Sequence, residues 1–149
     1  RNEVVEHALE NLSSFDIIFL LQPTSPLRDF SEIIRAWRFY IQTSAQSCVS
    51  VKIADPPPNW IFSINEKEQI EPVLGQWDFK PRQLEKKYFC LNGAIYITST
   101  NHFKTSKARD PFLIPATKFF VMDKSKSIDV DSISDFKVCE YMLKKINKI

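Results

Sequence analysis

Asp16-Ile17-Ile18-Phe19-Leu20-Leu21 runs directly into Gln22-Pro23-Thr24-Ser25-Pro26-Leu27-Arg28. The first half is a short, unbroken apolar run rich in β-formers, which reads as a strand buried on both faces. Pro23 and Pro26 lack the N–H that a helix or a central strand requires, so the strand ends there and a loop begins at its carboxyl edge. On both sides of this stretch the periodicity turns helical. Upstream, Val4, Val5, Ala8, Leu9 and Leu12 recur at helical spacing. Downstream, Asp29 followed by Glu32 reads as an N-cap with its N3 carboxylate, and Ile33, Ile34, Trp37, Tyr40 and Ile41 form the buried stripe of a helix. Ser47-Cys48-Val49-Ser50-Val51-Lys52 is a second strand. The order helix, strand, helix, strand predicts a right-handed βαβ unit in a parallel sheet, hence an α/β fold.

Further along, the texture changes over residues 55–87, where Pro56, Pro57, Pro58, Pro72 and Pro81 punctuate short apolar patches. This predicts an insertion carrying a hairpin, not a second domain. Tyr88-Phe89-Cys90-Leu91-Asn92-Gly93-Ala94-Ile95-Tyr96-Ile97 reads as a strand interrupted at Asn92-Gly93 by a bulge or a close backbone approach. A short helix over 99–104, a strand at Phe119-Phe120-Val121-Met122 and a final amphipathic helix through Phe136, Val138, Cys139, Met142, Leu143 and Ile146 complete the chain. No internal repeat interrupts this order.

Composition narrows the function classes. With 149 residues, 44% of them hydrophobic and 13% aromatic, the chain can build the core of one domain. Twenty Lys and Arg against 18 Asp and Glu leave +2, too near neutral for a nucleic-acid sleeve or an anionic-membrane patch, so neither partner is expected. No apolar run approaches the roughly 18 residues of a spanning helix. Cys48, Cys90 and Cys139 are odd in number and far apart, which favours small core thiols in a reducing, cytoplasmic setting. His7 and His102 have no second histidine at ligand spacing, so a zinc site or a Ser-His-Asp triad has little to build on. Only Gly75 and Gly93 occur, so no Gly-rich phosphate loop is present. The start at Arg1, straight into helical spacing, is expected of a chain that begins mid-domain.

Three places could carry chemistry. In the 22–28 loop, Gln22, the hydroxyls of Thr24 and Ser25, and the donor fork of Arg28 suit a phosphate or carboxylate; a rigid turn with a paired arginine is the plainer reading. In Ser127-Ile128-Asp129-Val130-Asp131, two carboxylates two residues apart project to one face if the chain is extended. With no nearby lysine they would repel unless a cation such as Mg²⁺ sat between them. The alternative is that Asp129 or Asp131 caps the following helix, in competition with Ser132, Ser134 and Asp135. The third set, Arg82, Asn92, Tyr96, Phe112 and Lys118, has an ordinary structural explanation residue by residue.

Taken in order, Leu20-Leu21-Gln22-Pro23-Thr24-Ser25-Pro26-Leu27-Arg28, Asn92-Gly93-Ala94-Ile95-Tyr96-Ile97 and Ser127-Ile128-Asp129-Val130-Asp131 resemble the CMP-sialic acid synthetase family, the acylneuraminate cytidylyltransferases. The likeness runs from the first helix to Ile149 and is weakest over 55–80. It implies a Rossmann-like three-layer sandwich with a mostly parallel sheet and a protruding insertion, about 55–87, that exchanges in a homodimer. Residues 1–149 would form a single cytidylyltransferase domain lacking the family's N-terminal CTP-binding loop, inactive as it stands. The implied reaction transfers CMP from CTP to a nine-carbon 2-keto sugar acid, with release of pyrophosphate. By the same resemblance Asp129 and Asp131 hold catalytic Mg²⁺, Gln22 contacts the sugar and Arg82 its carboxylate. Tyr96 would wall the pocket, Phe112 would belong to a segment lent by the neighbouring subunit, and Arg28, Asn92 and Lys118 would join the substrate-binding set.

One departure bears on the substrate. Sialic-acid-specific members often carry a lysine shortly after a proline of the insertion, where this chain has Pro58-Asn59-Trp60. An indole reads an apolar face where a lysine reads a polar group. Legionaminic and pseudaminic acids therefore stand beside sialic acid as expected substrates, unless Trp60 simply packs in the hairpin. The competing reading is a non-enzymatic relative that keeps the dimer interface and cannot hold CTP.

Overall fold

The computed structural model describes residues 1–12, 15–77 and 86–146. Helix α1 (Asn2–Asn11) leads to strand β1 (Ile17–Leu20), helix α2 (Phe30–Gln42) and strand β2 (Ser47–Ile53). A hairpin of β3 (Phe62–Ile64) and β4 (Ile70–Pro72) follows, then the long strand β5 (Phe89–Ser99), helix α3 (Thr100–Thr105), strand β6 (Lys118–Val121) and helix α4 (Ile133–Ile146).

The main sheet has the order β1-β5-β2-β6. Strands β2 and β6 pair in parallel, while β5 runs antiparallel to both β1 and β2. The sheet is therefore mixed. Strands β1, β2 and β6 share one direction, as a βαβ reading requires, but β5 lies between β1 and β2 and turns two of the ladders antiparallel. This placement also corrects the reading of β1 as a strand buried on both faces. It stands at the edge of the described sheet, and Phe19 is 38% exposed.

Helices cover both faces, giving three layers. Ala36 and Tyr40 of α2 pack with Cys48, Ile95, Ile97 and Phe120 on one side. Val5 of α1 and Phe103 of α3 pack with Val49, Tyr96 and Phe112 on the other. The α2 stripe is turned from the expected one: Glu32, Ala36 and Tyr40 are buried, whereas Ile41 is largely exposed. Small Ala36 lets the helix lie close to the sheet, and Ile33 and Trp37 flank that contact. Asp29 caps the helix as expected, its carboxylate accepting from the Glu32 N–H at 3.0 Å. The 55–87 region does contain a hairpin, a two-stranded sheet of its own.

The interruption predicted at Asn92-Gly93 is present. Val49 lies opposite Tyr96 but Val51 lies opposite Leu91, so Ser50 alone faces the stretch from Asn92 to Ile95. Its hydroxyl replaces the missing ladder bonds, accepting from the Ile95 N–H at 2.7 Å and donating to Asn92 Oδ1 at 2.6 Å. Gly93 takes φ +73, a conformation that L side chains rarely adopt.

Candidate active site at the β5 bulge

The bulge gathers the first two candidate regions. A Cβ placed on Gly93 would stand 2.6 Å from Gln22 Oε1 and 3.3 Å from Asp129 Oδ2. The loop after β1 and the segment before α4 thus meet over the one β5 residue without a side chain. Their main chains are also joined, Val130 N–H donating to Thr24 C=O at 2.8 Å. Asp129 Oδ1 is buried and has no hydrogen-bond partner. Capping of α4 falls elsewhere: Ser132 Oγ accepts from the Asp135 N–H at 3.3 Å and donates to the Asp135 carboxylate at 2.6 Å. Asp129 and Asp131 are accordingly free of the capping duty that competed with a ligand role.

Arg28 and Asn92 hold this rim together. Arg28 Nη1 donates to the carbonyls of Gln22, at 2.9 Å, and Ala94, at 2.8 Å, so the fork that looked suited to an anion is spent in part on main chain. Burial pushes its pKa below the ordinary guanidinium value. Asn92 is 2% exposed. Its Oδ1 accepts from Ser50 Oγ and from the Ala94 N–H, and its Nδ2 donates to Ser127 Oγ at 2.9 Å and towards Met122 Sδ at 3.4 Å. Ser127 Oγ in turn donates to the Asp123 carbonyl at 2.7 Å.

Two lysines that sequence reasoning passed over flank the carboxylate segment. Lys52 Nζ donates to the Ser127 carbonyl at 3.3 Å. Lys126 Nζ bridges Asp29 Oδ2 at 2.7 Å and Glu32 Oε1 at 3.2 Å. The hydrogen bond from Lys126 is the main reason that the Asp29 carboxyl is held down at about 2. Nothing in the local sequence separates these lysines from solvated ones; only the approach of β2 to Ser127 and the pairing of α2 with the 124–126 turn reveal them.

The other expected residues lie apart. Tyr96 is buried on the α1/α3 face, edge-on to Phe112 at 5.6 Å and beneath the Arg1 guanidinium at 4.6 Å. Arg1 also pairs with Asp110. Phe112 is fully buried within its own chain against Tyr96 and Phe103. Lys118 is exposed and in register with Cys48, which faces Ile97, four residues along β5 from Gly93. Arg82 lies outside the described residues. Trp60 is 43% exposed on a short 3₁₀ turn, Pro58–Trp60.

The N-acylneuraminate cytidylyltransferase of Escherichia coli is 29% identical over 98% of this chain and 34% of its own length. The chain is similar to the acylneuraminate cytidylyltransferases. The CMP-N,N'-diacetyllegionaminic acid synthase of Legionella pneumophila is 32% identical over 87% of this chain and 54% of its own. The chain thus spans between about a third and a little over half of these relatives. No family model matches. A solved 4-diphosphocytidyl-2C-methyl-D-erythritol synthase from Anaerococcus prevotii superposes with a TM-score of 0.62 at 9% identity, over 97% of this chain and 66% of that one. That likeness shows a shared fold and nothing more. Among the described residues no helix is long and apolar enough to cross a membrane.

Proposed function

We propose that the protein transfers CMP from CTP to a nonulosonic sugar acid, releasing pyrophosphate, as a cytoplasmic homodimer. The observation that carries this reading is the meeting of Gln22 and Asp129 over Gly93. It joins two of the stretches that resemble the acylneuraminate cytidylyltransferases at the carboxyl end of β1, where open α/β sheets place their ligands.

Asp129 and Asp131 would hold Mg²⁺. Their oxygens suit a hard cation, and Asp129 Oδ1 is a buried acceptor still without a donor. Among the described residues no group of three or more His, Cys, Asp or Glu that could hold a metal ion comes together; a pair of carboxylates would leave the ion's remaining sites to phosphate and water. When bound, Mg²⁺ supplies charge stabilisation on the α-phosphate and the departing pyrophosphate. Gln22, with a donor and an acceptor on one amide, orients a sugar hydroxyl beside that pair. Arg28 and Asn92 keep the loop, the bulge and the carboxylate segment in one frame, which is where positioning contributes to rate. Arg82 would take the sugar carboxylate, Lys118 would join the substrate-binding set, and Phe112 supports Tyr96 from within. A Trp60 that lined the sugar pocket would read an apolar face, which sets legionaminic and pseudaminic acids beside sialic acid.

The test is pyrophosphate release by the full-length protein with CTP, Mg²⁺ and a panel of sialic, legionaminic and pseudaminic acids. Turnover with one of them is expected. Silence across the panel from a folded protein would replace this reading with that of a non-enzymatic relative.

A further inference from the structure

The segment that carries Asp129 and Asp131 is neither helix nor strand, so something other than ladder hydrogen bonds must fix it. From inside, Asn92 holds Ser127; from the loop, the Thr24 carbonyl holds Val130 N–H. From β2, Lys52 Nζ donates to the Ser127 carbonyl, and a further tie is Lys126, at the end of the 3₁₀ turn Lys124–Lys126. Its ammonium reaches the N-cap of α2 and, beyond it, Glu32. Glu32 is 1% exposed, a carboxylate taken out of water. Its Oε1 has Arg35 at 2.7 Å and Lys126, and its Oε2 has no partner. Arg35 belongs to the same helix and is mostly exposed, so Lys126 is the partner that joins Glu32 to another element.

We propose that Lys126 is a positioning residue for the reaction: by anchoring its turn on Asp29 and Glu32 it sets where the Asp129 and Asp131 carboxylates stand. The inference rests on the reading of those two residues as the metal pair. The first turn of α2 is a rigid abutment, and a buried carboxylate left with one partner is costly enough to hold the lysine in place. Between Lys126 and Val130 only three residues intervene, so a shift at the lysine is passed on to Asp129 with little slack. Partners that orient metal ligands from outside the coordination shell are typically worth about 10–100-fold in metal affinity or activity.

The experiment uses the full-length protein with Mn²⁺ as a spectroscopic probe, free Mn²⁺ being counted by EPR, alongside the Mg²⁺ dependence of pyrophosphate release. Lys126→Met keeps the stem and removes the charge; it should weaken Mn²⁺ binding and raise the half-saturating Mg²⁺ concentration by about tenfold or more. Lys126→Arg should restore most of both, a rescue that a purely structural role would not link to the metal. Metal responses equal to wild type in Lys126→Met would overturn the proposal. Should that variant not fold, Asp29→Asn combined with Glu32→Gln, which keeps an N-cap and both shapes while removing both partners' charges from Lys126, carries the same test with the same two outcomes. A wild-type protein that neither binds Mn²⁺ nor turns over would instead remove the metal pair, and this inference with it.

Discussion

Gly93 sits under the two side chains that matter most. Replacing it by alanine forces a left-handed backbone on a residue with a Cβ and drives that Cβ into Gln22. The backbone cost alone is about 1–3 kcal/mol, and the amide end of Gln22 must move away from Asp129. Gly93→Ala should therefore lower thermal stability and lower catalytic turnover more than stability explains, measured as kcat of the folded fraction. Asn92 makes a different prediction. Asn92→Ala strips partners from Ser50 Oγ and Ser127 Oγ in the interior, so chemical denaturation should show a loss of about 1–3 kcal/mol. At Phe112, fully buried beneath Tyr96, truncation to alanine should cost about 3–5 kcal/mol by the same measurement.

Among the elements, the join between α2 and the 124–126 turn responds to acid. The Asp29 carboxyl is held at about 2 by the Lys126 hydrogen bond, below the roughly 3.9 of an unfolded aspartate. Its contribution is complete above the unfolded value and is lost as pH falls towards about 2. Asp29 is half in solvent, so that contribution is modest and weakens with salt. A carboxyl NMR titration should place the Asp29 midpoint near 2, rising towards the unfolded value in Lys126→Met; an unmoved midpoint would show that the bridge does not form in solution. Legibility in the sequence also divides at this scale. Amphipathic spacing announced α1, α2 and α4, and a glycine within a strand pattern announced the bulge, because both signals are local. The insertion of β5 between β1 and β2 is a pairing of distant segments, and no residue of β1 carries a mark of it. The partners of Lys126 lie more than 90 residues away in the chain, so nothing local to it marked the role.

For the molecule as a whole, the thiols report which surfaces are covered. The three cysteines read as core residues, and two of them are: Cys48 and Cys139 are 1% and 2% exposed. Burial pushes the Cys48 thiol up to about 12 and raises that of Cys139. Cys90 is exposed, on the part of β5 that precedes the bulge. One of three thiols should react rapidly with a disulfide reagent in the native protein, and the other two only on unfolding. The meeting of Gln22 and Asp129 joins two stretches that their chemistry had marked in the sequence, whereas Ser50, Ser127 and Lys126, which carry geometry, left no such mark. Arg28 belongs to the second kind although it looked like the first. Its grip is on the carbonyl oxygens of Gln22 and Ala94, and every amino acid supplies that oxygen. Side chains along the rim can be exchanged without loosening the clasp, so what the rim recognises can change while the scaffold keeps its shape.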